Sequence, residues 1–343
     1  MYRSFFMNSS LLFFIRISLT STLFLLVQFA EAQSPSQNLF IEIDVSADRD
    51  KMVRYGRIAY NKDNTPKRRF FKGKNARHDF LDTLTSSLSS LPEQKRNTLF
   101  YIHGMWAYKW SFLKGNHKKM QNTMWDNAVN PNGMVVTIIW HCKVNYFDNV
   151  EMALKSGKIL SPIIRDIHDV TAAASPSSQT NYMVHSMGHR VFQSIWDGYF
   201  KEDMKYKAGH IVMAGADLET NSFESGEVLA DIGYLTNDVL LYVHNNDRTL
   251  GISKILNEKD RLGMQGIADL NKITSSIWQI DVSIVNDNED AAAQFSNHRY
   301  FYMSPTIRKD IALFFQGVEK SKLPRRKKLD HERRFMLELP QDN

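Results

Sequence analysis

The chain has 343 residues, 43% of them hydrophobic and 23% charged, with 16 glycines, 9 prolines and a formal net charge of +6. These values exclude a disordered chain, a collagen-like repeat and a small disulfide-held scaffold, and they leave ample material for a large core. Cys142 is the only cysteine, so no intramolecular disulfide can form and stability has to come from packing.

The first 32 residues read apart from the rest. Arg3 and Arg16 flank an early polar and aromatic stretch, and Ile17 to Ala30 is mostly apolar and ends in Ala30-Glu31-Ala32. This is the layout of a secretory signal peptide cut before Gln33, and the uncharged run is shorter than the roughly 20 residues a spanning helix needs. Residues 1–32 are expected to be removed, and the mature chain is expected to be exported, to the periplasm or the exterior. Residues 33–97 are expected to lead into a sheet: Leu39 to Val45 and Met52 to Tyr60 alternate like strands, Asn61 to Lys74 is a basic loop or hairpin return, and Arg77 to Leu91 has helical spacing closed by Pro92.

Residues 98–317 alternate strand and helix, the pattern of an α/β fold with a mostly parallel central sheet and helices on both faces. Expected strands are Thr98 to Ile102, Met134 to Trp140, the apolar run before His185, His210 to Ala214, Val239 to His244 and Trp278 to Val285. Expected helices include Trp110 to Asn127, Val150 to about Ala174 with a kink at Pro162, and Ser304 to Phe315. Residues 318–343 are rich in Lys and Arg and are expected as a mobile basic tail, with contact to anionic lipid as a lesser reading. Nucleic acid is not an expected partner.

Chemistry concentrates at His185-Ser186-Met187-Gly188, where a strand passes through a tight turn into a helix. A serine at such a turn is the nucleophile elbow, although Val184 stands where the GxSxG pattern has its first glycine. Serine needs a base, a group that orients the base, and donors for an oxyanion. After Ser186, Asp247 and then His298 follow expected strands, in the order Ser, acid, His, with Asp217 as the alternative acid. His103-Gly104 after an earlier strand and the elbow itself offer the backbone N–H groups of Met105 and Met187 as the oxyanion donors. Met105, Trp106, Tyr108 and Trp110 either line an apolar acyl pocket or pack over the sheet. His185 and His189 straddle a turn without an acidic ligand set, so no metal is expected, and no organic cofactor either. Cys142 reads as a small buried residue.

Taken together these pieces resemble the α/β-hydrolase family of largely uncharacterised, esterase-like proteins whose elbow reads HSMG. The matching residues are His103-Gly104, Trp140, Tyr146, Asp148, Ser156, the elbow through Arg190, Ala216-Asp217 with Phe223, Asn246-Asp247-Arg248 with Leu250 and Ser253, Arg261-Leu262-Gly263, and His298. They span roughly residues 97 to 317. Members often carry Pro where Ala216 stands and Pro-Ser where His141-Cys142 stands. The resemblance implies an α/β-hydrolase fold and a Ser186, Asp247, His298 triad, the same set the residues point to, and it fixes no substrate. Together with the signal-like N-terminus the expectation is an exported serine hydrolase acting on a carboxylic ester. The rival readings are a lipase or phospholipase working at a membrane surface, and a binding protein that keeps the fold without turnover.

Overall fold

The computed structural model describes residues 37–48, 52–62, 65–105, 110–121, 124, 132–201, 207–236, 238–273 and 277–340. The expected signal peptide lies outside them. The described residues form a sheet in the order β10-β11-β9-β8-β7-β6-β4-β5-β1-β2-β3. Its strands are β1 (Gln37–Ile43), β2 (Val53–Tyr60), β3 (Pro66–Phe70), β4 (Thr98–Ile102), β5 (Met134–Trp140), β6 (Thr180–His185), β7 (Ile211–Ala214), β8 (Val239–Val243), β9 (Ile277–Asp281), β10 (Arg326–Lys328) and β11 (Arg334–Leu337). From β11 to β1 every neighbouring pair is parallel. The antiparallel pairs are β1–β2, β2–β3 and β10–β11, at the two margins.

Parallel strands covered on both faces are apolar at nearly every position, and β4, β5, β7 and β8 follow this rule. In β4, Phe100 and Ile102 face one core while Leu99 and Tyr101 face the other. In β8, Val239, Leu241 and Val243 face the first core, and Leu240 and Tyr242 the second. The first core is closed by α1 (Ala76–Ser90), α3 (Tyr146–Ala174) and α4 (Gly188–Ile195); the second is closed by α8 (Tyr300–Met303) and α9 (Pro305–Phe315). The remaining helices are α2 (Trp110–Met120), α5 (Arg248–Asn257), α6 (Leu262–Gln265) and α7 (Ala291–Ser296).

Several expected boundaries move for local reasons. The long helix α3 begins at Tyr146 rather than Val150, because the Asn145 side chain accepts from the amides of Phe147 and Asp148 and caps it. Of the helix expected over Trp110–Asn127, Trp110–Met120 is helical, and most of the rest lies outside the described residues. The basic segment 61–74 contains β3, an edge strand whose first residue is Pro66 and whose Lys and Arg side chains guard an open edge.

The largest correction concerns the expected tail 318–343: its described residues, 318–340, are not a free basic tail. β11 lies parallel to β9, where Phe335 stacks on Trp278 at 4.9 Å between ring centroids, and Leu337 is buried. The Arg326 guanidinium pairs with Asp310 at 2.6 Å with both side chains almost fully buried, and Lys320 pairs with Asp238. Several of the tail's cations are thus engaged by the fold. Cys142, as expected, is buried, its sulfur 3.8 Å from the Trp140 carbonyl oxygen. Its neighbour His141 bridges the carboxylates of Glu42 at 2.9 Å and Asp44 at 3.0 Å, and so ties this position to β1 and the turn after it.

Candidate active site

The strand order reverses between β4 and β6, since β5 lies on one side of β4 and β6 on the other. In open α/β sheets the crevice at the C-terminal ends of such strands is where ligands bind. His103 and Ser186 stand at those two ends.

Ser186 has φ 54°, a left-handed conformation that a serine adopts only when its surroundings enforce it. The enforcement is visible. The Ser186 N–H donates to the Ala214 carbonyl at 3.1 Å and its own carbonyl accepts from His189 N–H, so strand β7 and helix α4 clamp both sides of the residue. Gly188 lies so close to β4 that a Cβ there would come within 2.6 Å of the His103 carbonyl oxygen, which explains the glycine kept in the elbow. Gly104 lies against the serine itself: a Cβ on it would sit 2.6 Å from Ser186 Cβ. Gly104→Ala is expected to push the 103–105 turn away from the serine and lower kcat by about a hundredfold, the usual effect of a small misplacement of reacting groups, with little change in melting temperature. Steady-state kinetics beside a thermal melt checks this; unchanged kcat would mean that the turn takes no part.

His298 and Asp247 come together from loops 51 residues apart, with His298 Nδ1 donating to Asp247 Oδ2 at 2.7 Å. The other oxygen, Oδ1, accepts from the Leu250 N–H at 2.9 Å and caps α5. Asp247 is fully buried and both its oxygens are engaged, so it holds one imidazole tautomer, with Nδ1 protonated and Nε2 carrying the lone pair. Gly215, at φ 54°, leaves room for this ring; a Cβ there would lie 3.2 Å from its Cε1. Among the described residues no hydrogen bond holds the Ser186 hydroxyl, and in unliganded sites such bonds commonly form only with substrate.

The family model described as "Alpha/beta hydrolase of unknown function (DUF900)" matches residues 82–315. The chain belongs to this family. No curated protein and no solved structure matches it. The family match covers both loops that supply Asp247 and His298 as well as the elbow, and it begins inside α1, so β1, β2 and β3 lie outside it.

In this hydrolase-family chain the alternative acid, Asp217, does not meet His298. Its carboxylate accepts from Ser253 Oγ at 2.5 Å and from Tyr146 OH at 2.9 Å, and the fully buried Arg261 stands 3.7 Å away. Among the described residues Nη1 and Nη2 of Arg261 have no hydrogen-bond partner, so Asp217 is its compensating charge. The network joins the end of β7 to α3, α5 and the 258–263 turn, and it thereby seats the helix that Asp247 caps.

Both expected oxyanion donors flank the serine. Among the described residues neither the Met105 nor the Met187 amide donates to an acceptor in the protein, an uncommon condition for main-chain N–H groups at such a packed point. His103 fixes the first of them. Its ring donates from Nδ1 to the Gly104 carbonyl at 2.6 Å and accepts at Nε2 from the Trp140 N–H, while Trp140 Nε1 donates to the His103 carbonyl. Because a peptide is planar and trans, tethering the Gly104 oxygen aims the Met105 N–H the opposite way. Trp106 and Tyr108 lie outside the described residues and Trp110 is placed only by its backbone, at the start of α2, so of the expected apolar lining the Met105 side chain alone is described, packed against the first core. The described cleft beside the acid is polar, about 440 Å³, and lined by Asn245, Asn246, Asp247, Arg248, Gly251, Met264 and Asn297. Gly215 and Tyr300 escape a reading of the sequence. Tyr300 OH accepts from Gly215 N–H at 2.7 Å and donates to the Tyr242 carbonyl, and a glycine between two alanines after a strand is the one signal of the turn.

Of the buried histidines, five in or near the elbow and in the sheet layers stand furthest below their ordinary range. Burial pushes His103 down to about 4 and His117, His168 and His189 to about 3, and it drives His185 well below its usual range. His189 Nδ1 donates to the Ser186 carbonyl at 2.7 Å, and His185 Nε2 donates to the His298 carbonyl at 3.0 Å, so both serve the elbow as neutral donors. Among the described residues no three His, Cys, Asp or Glu side chains converge on a metal-sized site. Each depressed folded value lies below the unfolded value of about 6.5, so the unfolded chain binds protons that the folded one refuses. Stability is therefore fully present above about pH 6.5 and lost as pH falls toward the folded values. Urea unfolding midpoints should be flat from about pH 8 to 7 and fall steeply below about pH 6; a flat profile down to pH 5 would remove this account.

Proposed function

We propose that the protein is an exported serine hydrolase that cleaves carboxylic esters through an acyl-enzyme. The observation that carries the reading is the Asp247–His298 hydrogen bond, 2.7 Å long, set beside a serine at φ 54° in a strand-turn-helix elbow. In this reading Ser186 Oγ attacks the ester carbonyl and His298 Nε2 takes its proton. The tetrahedral oxyanion is held by the Met105 and Met187 N–H groups, and its collapse expels the alcohol, which leaves with the proton from His298. Water, deprotonated by the same nitrogen, then releases the acid and restores the serine. Asp247 keeps the imidazole in the required tautomer throughout. The polar cleft beside Asp247 suits a polar alcohol as leaving group.

A fluorophosphonate probe tests the nucleophile directly: the expected result is a single adduct on the peptide that holds Ser186, formed alongside turnover of p-nitrophenyl acetate. Folded protein that neither labels nor turns over acetate or butyrate esters would overturn the reading. Export is supported by Arg3, Arg16 and the Ile17 to Ala30 run. A cut before Gln33 leaves β1 whole, and the mass of the protein recovered outside the cytoplasm is expected to begin at Gln33.

A further inference from the structure

The exposed apolar surface of this molecule is unevenly placed. Among the described residues, the large hydrophobic side chains that stand out to solvent are Val144, Phe147, Ile252, Ile255, Leu256, Ile284 and Phe295, with Tyr234 and Leu329 elsewhere. The first seven all lie on segments that leave the C-terminal ends of β5, β8 and β9, the edge that carries Ser186, Asp247 and His298.

Helix α5 shows the anomaly most sharply. An ordinary surface helix turns its apolar residues inward. Here Leu250 and Ser253 face inward, Ser253 on Asp217, while Ile252, Ile255 and Leu256, which share one face at helical spacing, are 62%, 77% and 44% exposed. The face continues on both sides. Phe295 lies 4.1 Å beneath the Arg248 guanidinium, one turn before Ile252, and Phe147 packs edge-on to Tyr146, whose hydroxyl reaches Ser253. This apolar face adjoins Asp247, the residue that caps α5.

The charges on the same segments largely cancel one another. Lys155 pairs with Glu151, Lys254 with Asp260, Lys259 with Glu219 and Arg299 with Asp290. Lys143 and Arg248 are balanced by Asp148 and Glu258 on the same stretches. A charge-balanced rim around protruding Ile, Val and Phe side chains complements a lipid surface without net charge. Val144 at 91% and Ile255 at 77% exposure stand clear of any groove, a shape suited to fluid hydrocarbon rather than to a close-packed protein partner.

We propose that this face docks the active site onto a neutral or zwitterionic lipid surface, so that the ester reaches Ser186 from the lipid phase. The proposal rests on the ester-hydrolase reading for its chemistry, but docking can be measured without turnover. The mature full-length chain and its Ile255→Glu and Phe147→Ser variants would be floated with phosphatidylcholine vesicles at low and high salt. Each would also be assayed on p-nitrophenyl acetate and on emulsified trioleoylglycerol.

The expected result is that wild type floats equally at both salt concentrations and that each variant partitions about tenfold less, the loss expected for removing one inserted side chain. Emulsion turnover should fall in proportion while acetate turnover stays. Wild type that fails to float, or variants that float as well as wild type, would overturn the proposal. So would size-exclusion data in which Ile255→Glu converts a dimer into a monomer, because the face would then serve a second copy. Loss of acetate turnover in wild type would sink the ester chemistry alone, since flotation reads the docking face by itself.

Discussion

Ser186→Ala is expected to lower kcat for p-nitrophenyl acetate by about a millionfold, and His298→Ala by a similar factor. The reason is geometric. Ser186 is held at φ 54° between β7 and α4, and among the described residues beside it the imidazole oriented by a buried carboxylate is that of His298. The double variant should be no slower than either single one, because nucleophile and base act in one step and removing one disables the other. The residual rate, about a thousandfold or more above water, would come from the oxyanion donors and from binding. Pre-steady-state acetate kinetics checks this, since wild type should show an acyl-enzyme burst that both variants lack. Additive losses in the double variant would mean that the two residues do not work as a pair.

The second large effect separates the two acids. Asp247→Asn should keep the helix cap, because the amide oxygen can still accept from Leu250 N–H, yet the NH2 group would face His298 Nδ1. That ring then has to accept at Nδ1 and carry its proton on Nε2, where the lone pair is needed, so kcat should fall by about ten-thousandfold with melting temperature nearly unchanged. Asp217→Asn should do the reverse. It keeps hydrogen-bonding groups for Ser253 and Tyr146 but strips the buried Arg261 of its counter-charge, which typically destabilises by about 3–5 kcal/mol. Its kcat should stay within about tenfold of wild type at a temperature where it is folded. A catalytic loss larger in Asp217→Asn than in Asp247→Asn would reverse the two roles.

Much of this arrangement is readable from the chain alone. Strands β4 to β9 announce themselves because burial on both faces leaves few polar positions, and a short apolar run between two helical stretches fits little besides a buried strand. The order of Ser186, Asp247 and His298 follows from strand ends, where α/β sheets keep their loops. What escapes reading is carried by pairing at a distance. β3 and β10 are mostly Lys and Arg, and they are strands because a neighbouring edge supplies backbone partners, which residue types do not encode. Asp217, like Asp247, follows a strand of the sheet, so strand order favours Asp247 without removing Asp217; the placement of Arg261, Tyr146 and Ser253, the last two 71 and 36 residues away, gives Asp217 partners of its own. Helix α5 buries only Leu250 and Ser253 and leaves Ile252, Ile255 and Leu256 outside, an orientation that residue types alone do not announce.

The single thiol at Cys142 offers a clock for motion in this molecule. It sits at the end of β5, hidden from solvent beside Trp140, two residues from a ring that also braces His103. A reagent added to native protein can modify it only during a transient opening there, so the labelling rate reports how often the wall behind the 103–105 turn comes apart. With no second cysteine to confuse the signal, that rate can be followed in every variant described above, and it separates a loosened scaffold from lost chemistry in one tube.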